Sequence, residues 1–198
     1  LTNHYYTNKP DLHHDEKTFT FELRGVTLRF ITDAGVFSRD RIDFGSVLLI
    51  ETMDIPSNAR VLDVGCGYGP IGFSAAKLAV DGLVTMIDVN ERAVELARRN
   101  AELNGIGNVT IEVSDLYEKV QGQHFDIILT NPPIRAGKEV VHRIFVEGYD
   151  LLKDGGEMWV VIQKKQGAPS ALKKLQETYS EVEEVEKSKG YYIYRAIK

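Results

Sequence analysis

From residue 60 onward, short apolar runs alternate with longer helix-patterned segments, and few folds satisfy that alternation. "RVLDVG" (60–65), "LVTMIDV" (83–89), "VTIEVS" (109–114), "FDIILT" (125–130) and "GEMWVVIQ" (156–163) have the length and apolar content of buried parallel strands. "GPIGFSAAKLA", "NERAVELARRNAELNG" and "GKEVVHRIFVEGYDLL" supply helices between them. Strand and helix in turn imply an open α/β sheet. Near the end, "ALKKLQETY" is expected to form a helix and "EVEEVEKSKGYYIYRAI" two strands joined through "KSKG". That turn is too short for a parallel crossover, so one terminal strand is expected to run antiparallel to its neighbour.

Upstream, "TFTFELRGVTLRFIT" alternates in period two around "RG" and predicts a β-hairpin; "VLLIETM" predicts a helix with Ser46 near its start. The expected organisation is a flexible or surface-lying polar segment over 1–17, a hairpin-and-helix extension packed on the core over 18–59, and the α/β core over 60–198. With 43% hydrophobic residues in 198, the chain can bury one substantial core. No run approaches the ~20 apolar residues that span a bilayer. "LTNHYYTNKPDLHHDEK" has neither the basic start nor the apolar centre of a secretory signal. A cytoplasmic, monomeric protein is expected.

One cysteine, Cys66, excludes an intramolecular disulfide and an all-cysteine metal site within the chain. No metal is expected; His13 and His14 lie in a segment too loosely patterned to hold one. A net charge of −5 argues against strong non-specific nucleic-acid binding. A local basic face remains available, because "MWVVIQKKQGAPSALKKLQ" carries Lys164, Lys165, Lys173 and Lys174 without an acid.

The ligand signals cluster at strand ends. "VLDVGCGYGPIG" follows the first α/β strand and opens a helix, with Gly65, Gly67 and Gly69 permitting close backbone approach. Pro70 occupies the third glycine position of G-x-G-x-x-G, which argues against a dinucleotide. Asp63 can accept from a ligand ammonium or hold the glycine loop through its amides. Asp88 ends the second strand, where a carboxylate can accept from ribose hydroxyls. In "VSDLYEK", Asp115 can accept from an adenine amine, and Leu116 or Tyr117 can pack on the base. Cys66 has no persuasive base partner and is expected to pack beside the ligand.

"TNPPIRAG" (130–137) follows the fourth of these strands. Consecutive prolines restrict φ and remove two donors, which suits holding carbonyls at fixed positions at a strand's end. Arg135, Lys138, His142 and Arg143 follow as candidate phosphate contacts.

Together, "LDVGCGYGPIG", Asp88, "SDLY" and "TNPPI" resemble a class I S-adenosylmethionine-dependent methyltransferase with the N-P-P signature of exocyclic-amine modification. "GVFSRDRIDFGSVLL" narrows the resemblance to the small-subunit ribosomal RNA guanine-N2 methyltransferase C family, in its short single-domain form. The resemblance runs from about residue 18 to the end. It implies a Rossmann-like seven-stranded mixed sheet ordered 3-2-1-4-5-7-6 with the last-numbered strand antiparallel. It further implies that Gly65 and Gly67 approach the methionine portion, Asp88 the ribose and Asp115 the adenine. Asn131, Pro132 and Pro133 would form the catalytic loop, with the Asn131 and Pro132 carbonyls accepting from the guanine amine. An additional N-terminal domain of longer members has no match among these residues. The family pattern usually follows N-P-P with an aromatic residue, whereas Ile134 stands here; Phe37 is the candidate replacement, and Ile134 and Arg135 the other substrate contacts. The implied partner is small-subunit ribosomal RNA or a partly assembled small subunit. The same amine chemistry on protein glutamine or DNA adenine, and a noncatalytic RNA-binding assembly factor, are the competing readings.

Overall fold

Successive residues along the apolar runs face opposite sides of one sheet, which is why both sides must be covered. The computed structural model describes residues 8–9 and 11–198. Its elements are β1 (Lys17–Leu23), β2 (Val26–Thr32), α1 (Phe44–Thr52), β3 (Arg60–Val64), α2 (Pro70–Leu78), β4 (Leu83–Asp88) and α3 (Glu91–Leu103). There follow β5 (Val109–Val113), β6 (Phe125–Thr130), α4 (Lys138–Leu151), β7 (Leu152–Gln163), α5 (Ala168–Thr178), β8 (Glu181–Ser188) and β9 (Tyr191–Ile197).

Strands β3 to β9 form a seven-stranded sheet in the order β5-β4-β3-β6-β7-β9-β8. Numbered within the sheet, this is the expected 3-2-1-4-5-7-6. The last strand, β9, runs antiparallel to both β7 and β8, and the other pairs are parallel. Strand order reverses between β3 and β6, the point at which open α/β sheets leave a crevice beyond their carboxyl ends.

On one face, Val61, Met86, Leu129 and Trp159 pack with residues of α1, α2, α3 and the β1–β2 hairpin. On the other, Leu62, Ile87, Ile128 and Met158 pack with α4 and α5. The hairpin is fastened by side chains that imitate a strand. Asn100, fully buried on α3, accepts from Ile31 N–H at 2.7 Å and donates to the carbonyls of Ile31 and Tyr68, both at 3.0 Å. It thereby joins the hairpin to the glycine loop.

β7 starts four residues before the expected run. "KDGG" reads as a turn, but Gly155 takes φ +76° and absorbs a bulge opposite β6 between Phe125 and Ile127, so the strand continues through it. Residues 1–7 and 10 of the N-terminal segment lie outside the described residues. Asn8 Oδ1 accepts from Glu91 N–H at 2.8 Å, Leu12 O accepts from Arg92 at 2.8 Å, and Asp33 binds both His14 Nδ1 (2.5 Å) and Asp15 N–H (2.6 Å). These contacts lay the segment along α3. No helix among the described residues is long and apolar enough to cross a membrane.

Candidate functional site

The glycine loop leaves β3 by a turn that only glycine adopts without strain. Gly65 and Gly67 have φ +75° and +56°, and a Cβ on either would meet no atom within 4 Å. Their backbone is left bare toward a cavity of about 400 Å³ at the carboxyl ends of the strands, within the range of small-molecule sites. The N–H groups of Gly65 and Cys66 are both taken by Ile87 O, at 2.9 and 3.0 Å, which ties the loop to β4.

Asp88 ends β4 on the cavity wall. Its Oδ2 accepts from Gly67 N–H at 2.8 Å and its Oδ1 from Asn90 N–H at 2.9 Å. Burial pushes its carboxyl above the usual range, while the amides of Asn90 and Gly67 pull the other way. Each oxygen keeps a second lone pair, so the carboxylate is fixed in place without being used up. Asp115 and Leu116 line the same end of the cavity, Leu116 in a left-handed turn at φ +48°.

Past the end of β6, Asn131, Pro132, Pro133, Ile134 and Arg135 line the same cavity, as do Phe37, Gln166 and Tyr191. Pro133 O accepts from Ala136 N–H at 3.0 Å and closes a short 3-10 turn. Among the described residues no donor meets the Pro132 carbonyl. The Asn131 amide donates through Nδ2 to Asp43 Oδ2 and to Ser46 Oγ, both at 3.0 Å. Asp43 also caps α1, its Oδ2 accepting from Ser46 N–H at 3.1 Å. With both amide hydrogens committed, Asn131 Oδ1 meets no described donor.

Phe37 is 48% exposed and stands on a segment pinned from three directions. Tyr68 of the glycine loop donates to Ser38 O at 2.9 Å, Thr32 Oγ1 to Arg39 O at 2.6 Å, and Asn90 Nδ2 to Gly35 O at 3.0 Å. A half-exposed ring on a backbone held this firmly can serve as a stacking platform.

Three candidate side chains lie off the cavity wall. Tyr117 does not reach the cavity: it is 2% exposed, and its hydroxyl donates to Ile144 O at 2.6 Å beneath α4. The turn at Leu116 sends one side chain into the cavity and the next into the core. Cys66, between two lining glycines, does not itself line the cavity; it packs with the core under the loop, and burial raises its thiol pKa. Asp63 is fully buried below the loop and off the cavity wall, with no hydrogen-bond partner for either oxygen, the facing Gly72 amide falling short of one. Burial and then Asp88 push its pKa up to about 8.

Of the basic candidates, Arg135 lines the cavity. Arg143 pairs with Glu147 at 3.1 Å, His142 meets Ser170 Oγ at 3.2 Å, and Lys174 pairs with Glu177 at 3.8 Å. Asp43, Ser46, Gln166 and Tyr191 were not anticipated at the site. Asp43 had a legible signal as a helix cap in "DFGS", but its bond to a residue 88 positions away had none.

Known proteins resemble this chain in sequence and in fold. YbxB, an uncharacterized protein of Bacillus subtilis strain 168, is 54% identical over 200 residues, covering 100% of each chain. The ribosomal RNA small subunit methyltransferase C of Haemophilus influenzae strain PittGG is 31% identical over 193 residues, 94% of this chain and 57% of that one. The chain therefore spans little more than half the length of that relative. The T. thermophilus 16S rRNA N2 G1207 methyltransferase, solved in complex with AdoMet and guanosine, shares the fold with a TM-score of 0.83 at 24% identity, over 92% of this chain and 50% of that chain. The methyltransferase small domain model matches residues 27–195, from the hairpin through nearly all of the last strand. On that match, the chain belongs to the methyltransferase small domain family.

Proposed function

We propose that the protein transfers a methyl group from S-adenosylmethionine to the exocyclic N2 amine of a guanine in small-subunit ribosomal RNA. The observation that carries this reading is that one cavity is lined both by Gly65, Gly67, Asp88 and Asp115 and by the Asn131–Pro133 loop and Phe37. A cofactor and a base can meet there without crossing solvent. Gly65 and Gly67 would take the methionine portion, Asp88 the ribose, and Asp115 with Leu116 the adenine. Asp63, buried beneath the loop, would favour a ligand cation by giving up its proton when the ligand binds rather than by contact. When bound, the cofactor supplies a methyl group on a sulfonium leaving group, so the chain need not activate the electrophile.

The chain's own task is the amine, whose lone pair is delocalised into the ring. Asn131 Oδ1 and the Pro132 carbonyl would accept its two hydrogens, favour the positive charge that develops on nitrogen, and aim the lone pair at the methyl carbon. The amine so held would take the methyl group that the bound cofactor supplies, and its surplus proton would leave to water. Phe37 would stack on the base in place of the aromatic residue absent at Ile134, with Arg135 near a flanking phosphate.

The test is to incubate the protein with methyl-labelled cofactor and, in parallel, unmodified small-subunit RNA, assembled subunits, DNA and protein, then map the label. N2-methylguanine in RNA supports the proposal; label in protein glutamine or DNA adenine moves the activity to that substrate, and no label despite cofactor binding favours a noncatalytic RNA-binding factor. Asn131→Ala is expected to lower the single-turnover rate by about 10²–10³-fold, the usual cost of losing one preorganised group, with cofactor Kd little changed. An unchanged rate would overturn the role of Asn131.

A further inference from the structure

We infer that Asp43 is a positioning residue for the methyl-transfer loop: it decides which end of the Asn131 amide faces the substrate. The inference rests on Asn131 Oδ1 being the acceptor for the target amine. An asparagine amide is nearly symmetric in shape, and rotating it by 180° would present a donor NH₂ to a substrate NH₂. Nothing in the loop's backbone prevents that. What prevents it is the Asp43 carboxylate behind Asn131; the Ser46 hydroxyl, donor as well as acceptor, could serve either end of the amide. Nδ2 lies 3.0 Å from Asp43 Oδ2 and 3.0 Å from Ser46 Oγ. An ionised carboxylate can only accept, so a flipped amide would set oxygen against oxygen and lose a charge-assisted bond. Bonds to charged groups favour the paired arrangement by roughly ten- to a hundredfold.

Asp43 has a second duty at the N-cap of α1, which accounts for its place at the helix start but not for its contact with Asn131. Serine, asparagine and aspartate cap helices about equally well. Serine is too short to reach Nδ2 while capping, whereas aspartate spans both. Because Oδ2 takes both Ser46 N–H and Asn131 Nδ2, the helix start and the methyl-transfer loop are held by one atom.

The two duties separate by substitution. Asp43→Ser keeps a cap and withdraws the acceptor from Asn131; Asp43→Asn can keep one oxygen at the Oδ2 position for both donors. The expected result is that Asp43→Ser lowers the single-turnover rate on the order of ten- to a hundredfold with Tm and cofactor Kd near those of the parent. Asp43→Asn should restore most of the rate. Ser46→Ala, which leaves the carboxylate in place, should give a smaller loss. In an Asn131→Ala background Asp43→Ser should cost nothing further, since its effect passes through that side chain. Equal fractional losses in both backgrounds, or a full rate for Asp43→Ser, would overturn the inference.

A readout without turnover keeps it separate from the proposed reaction. The Asn131 side-chain amide, identified in ¹⁵N spectra by its disappearance in Asn131→Ala, should exchange its protons with solvent at least about tenfold faster in Asp43→Ser, as expected when a charge-assisted bond is lost. Unchanged exchange means that Asp43 does not hold Asn131. A silent Asn131→Ala in the methylation assay, with the exchange effect intact, removes the catalytic reading while leaving the lock.

Discussion

Asp63 carries a carboxyl group into the interior without a hydrogen-bond partner for either oxygen among the described residues, and Asp88 lies close enough to repel its charge. Burial is the larger cause and Asp88 the next, and together they move its pKa from 3.8 to about 8. Between those values the folded chain holds a proton that the unfolded chain has released. The associated stability is fully present below 3.8 and is lost as pH rises toward 8, the sign that follows when the folded state binds more protons. Asp63→Asn should flatten that fall, seen as urea midpoints that change less between pH 5 and 8 than those of the parent. A cationic ligand above the loop would favour the ionised form, so S-adenosylmethionine binding at pH 7 should release a proton. Calorimetry in two buffers of different ionisation enthalpy should detect it in the parent and not in Asp63→Asn.

At the scale of elements, the strands were legible because each must be apolar on both faces: Val61 and Leu62 are adjacent in sequence and pack on opposite sides of the sheet. The hairpin was legible from its alternation, but its purpose was not. Phe30 of β2 stacks on Phe73 of α2 at 6.3 Å and meets Tyr68 edge-on at 5.6 Å, so the hairpin braces the glycine loop and the helix it opens. Phe30→Ala should cost about 3–5 kcal/mol, the usual penalty for emptying a buried aromatic site, measured as a lowered urea midpoint with the slope retained. Tyr117 shows the opposite case. Nothing local in "DLY" reveals that a left-handed turn at Leu116 reverses the facing of its neighbour, because φ at one residue is settled by what packs around it.

Across the whole molecule, a net charge of −5 coexists with lysines on two segments that reach the cavity through Gln166 and Tyr191. Lys164 N–H donates to Gly190 O at 2.8 Å, joining the Lys164–Gln166 turn to the β8–β9 hairpin tip, where Lys189 lies 4.8 Å over the Phe44 ring. Gln166 and Tyr191, from these two segments, line the cavity. If the substrate is RNA, Lys165→Gln should lower its kcat/KM and reduce the slope of log affinity against log salt by about 1, the signature of one lost phosphate contact, with cofactor Kd unchanged. The sequence by itself determined the α/β class, the antiparallel last strand and the positions of the glycine and Asn-Pro-Pro loops, because hydrophobic period and turn chemistry are local properties of the chain. Only the tertiary structure decided that Asp43 and Ser46 hold Asn131, that Asp63 lies beneath the site rather than in it, and that Tyr117 belongs to the core. Those are contacts between segments far apart in sequence, and packing rather than any local preference selects them.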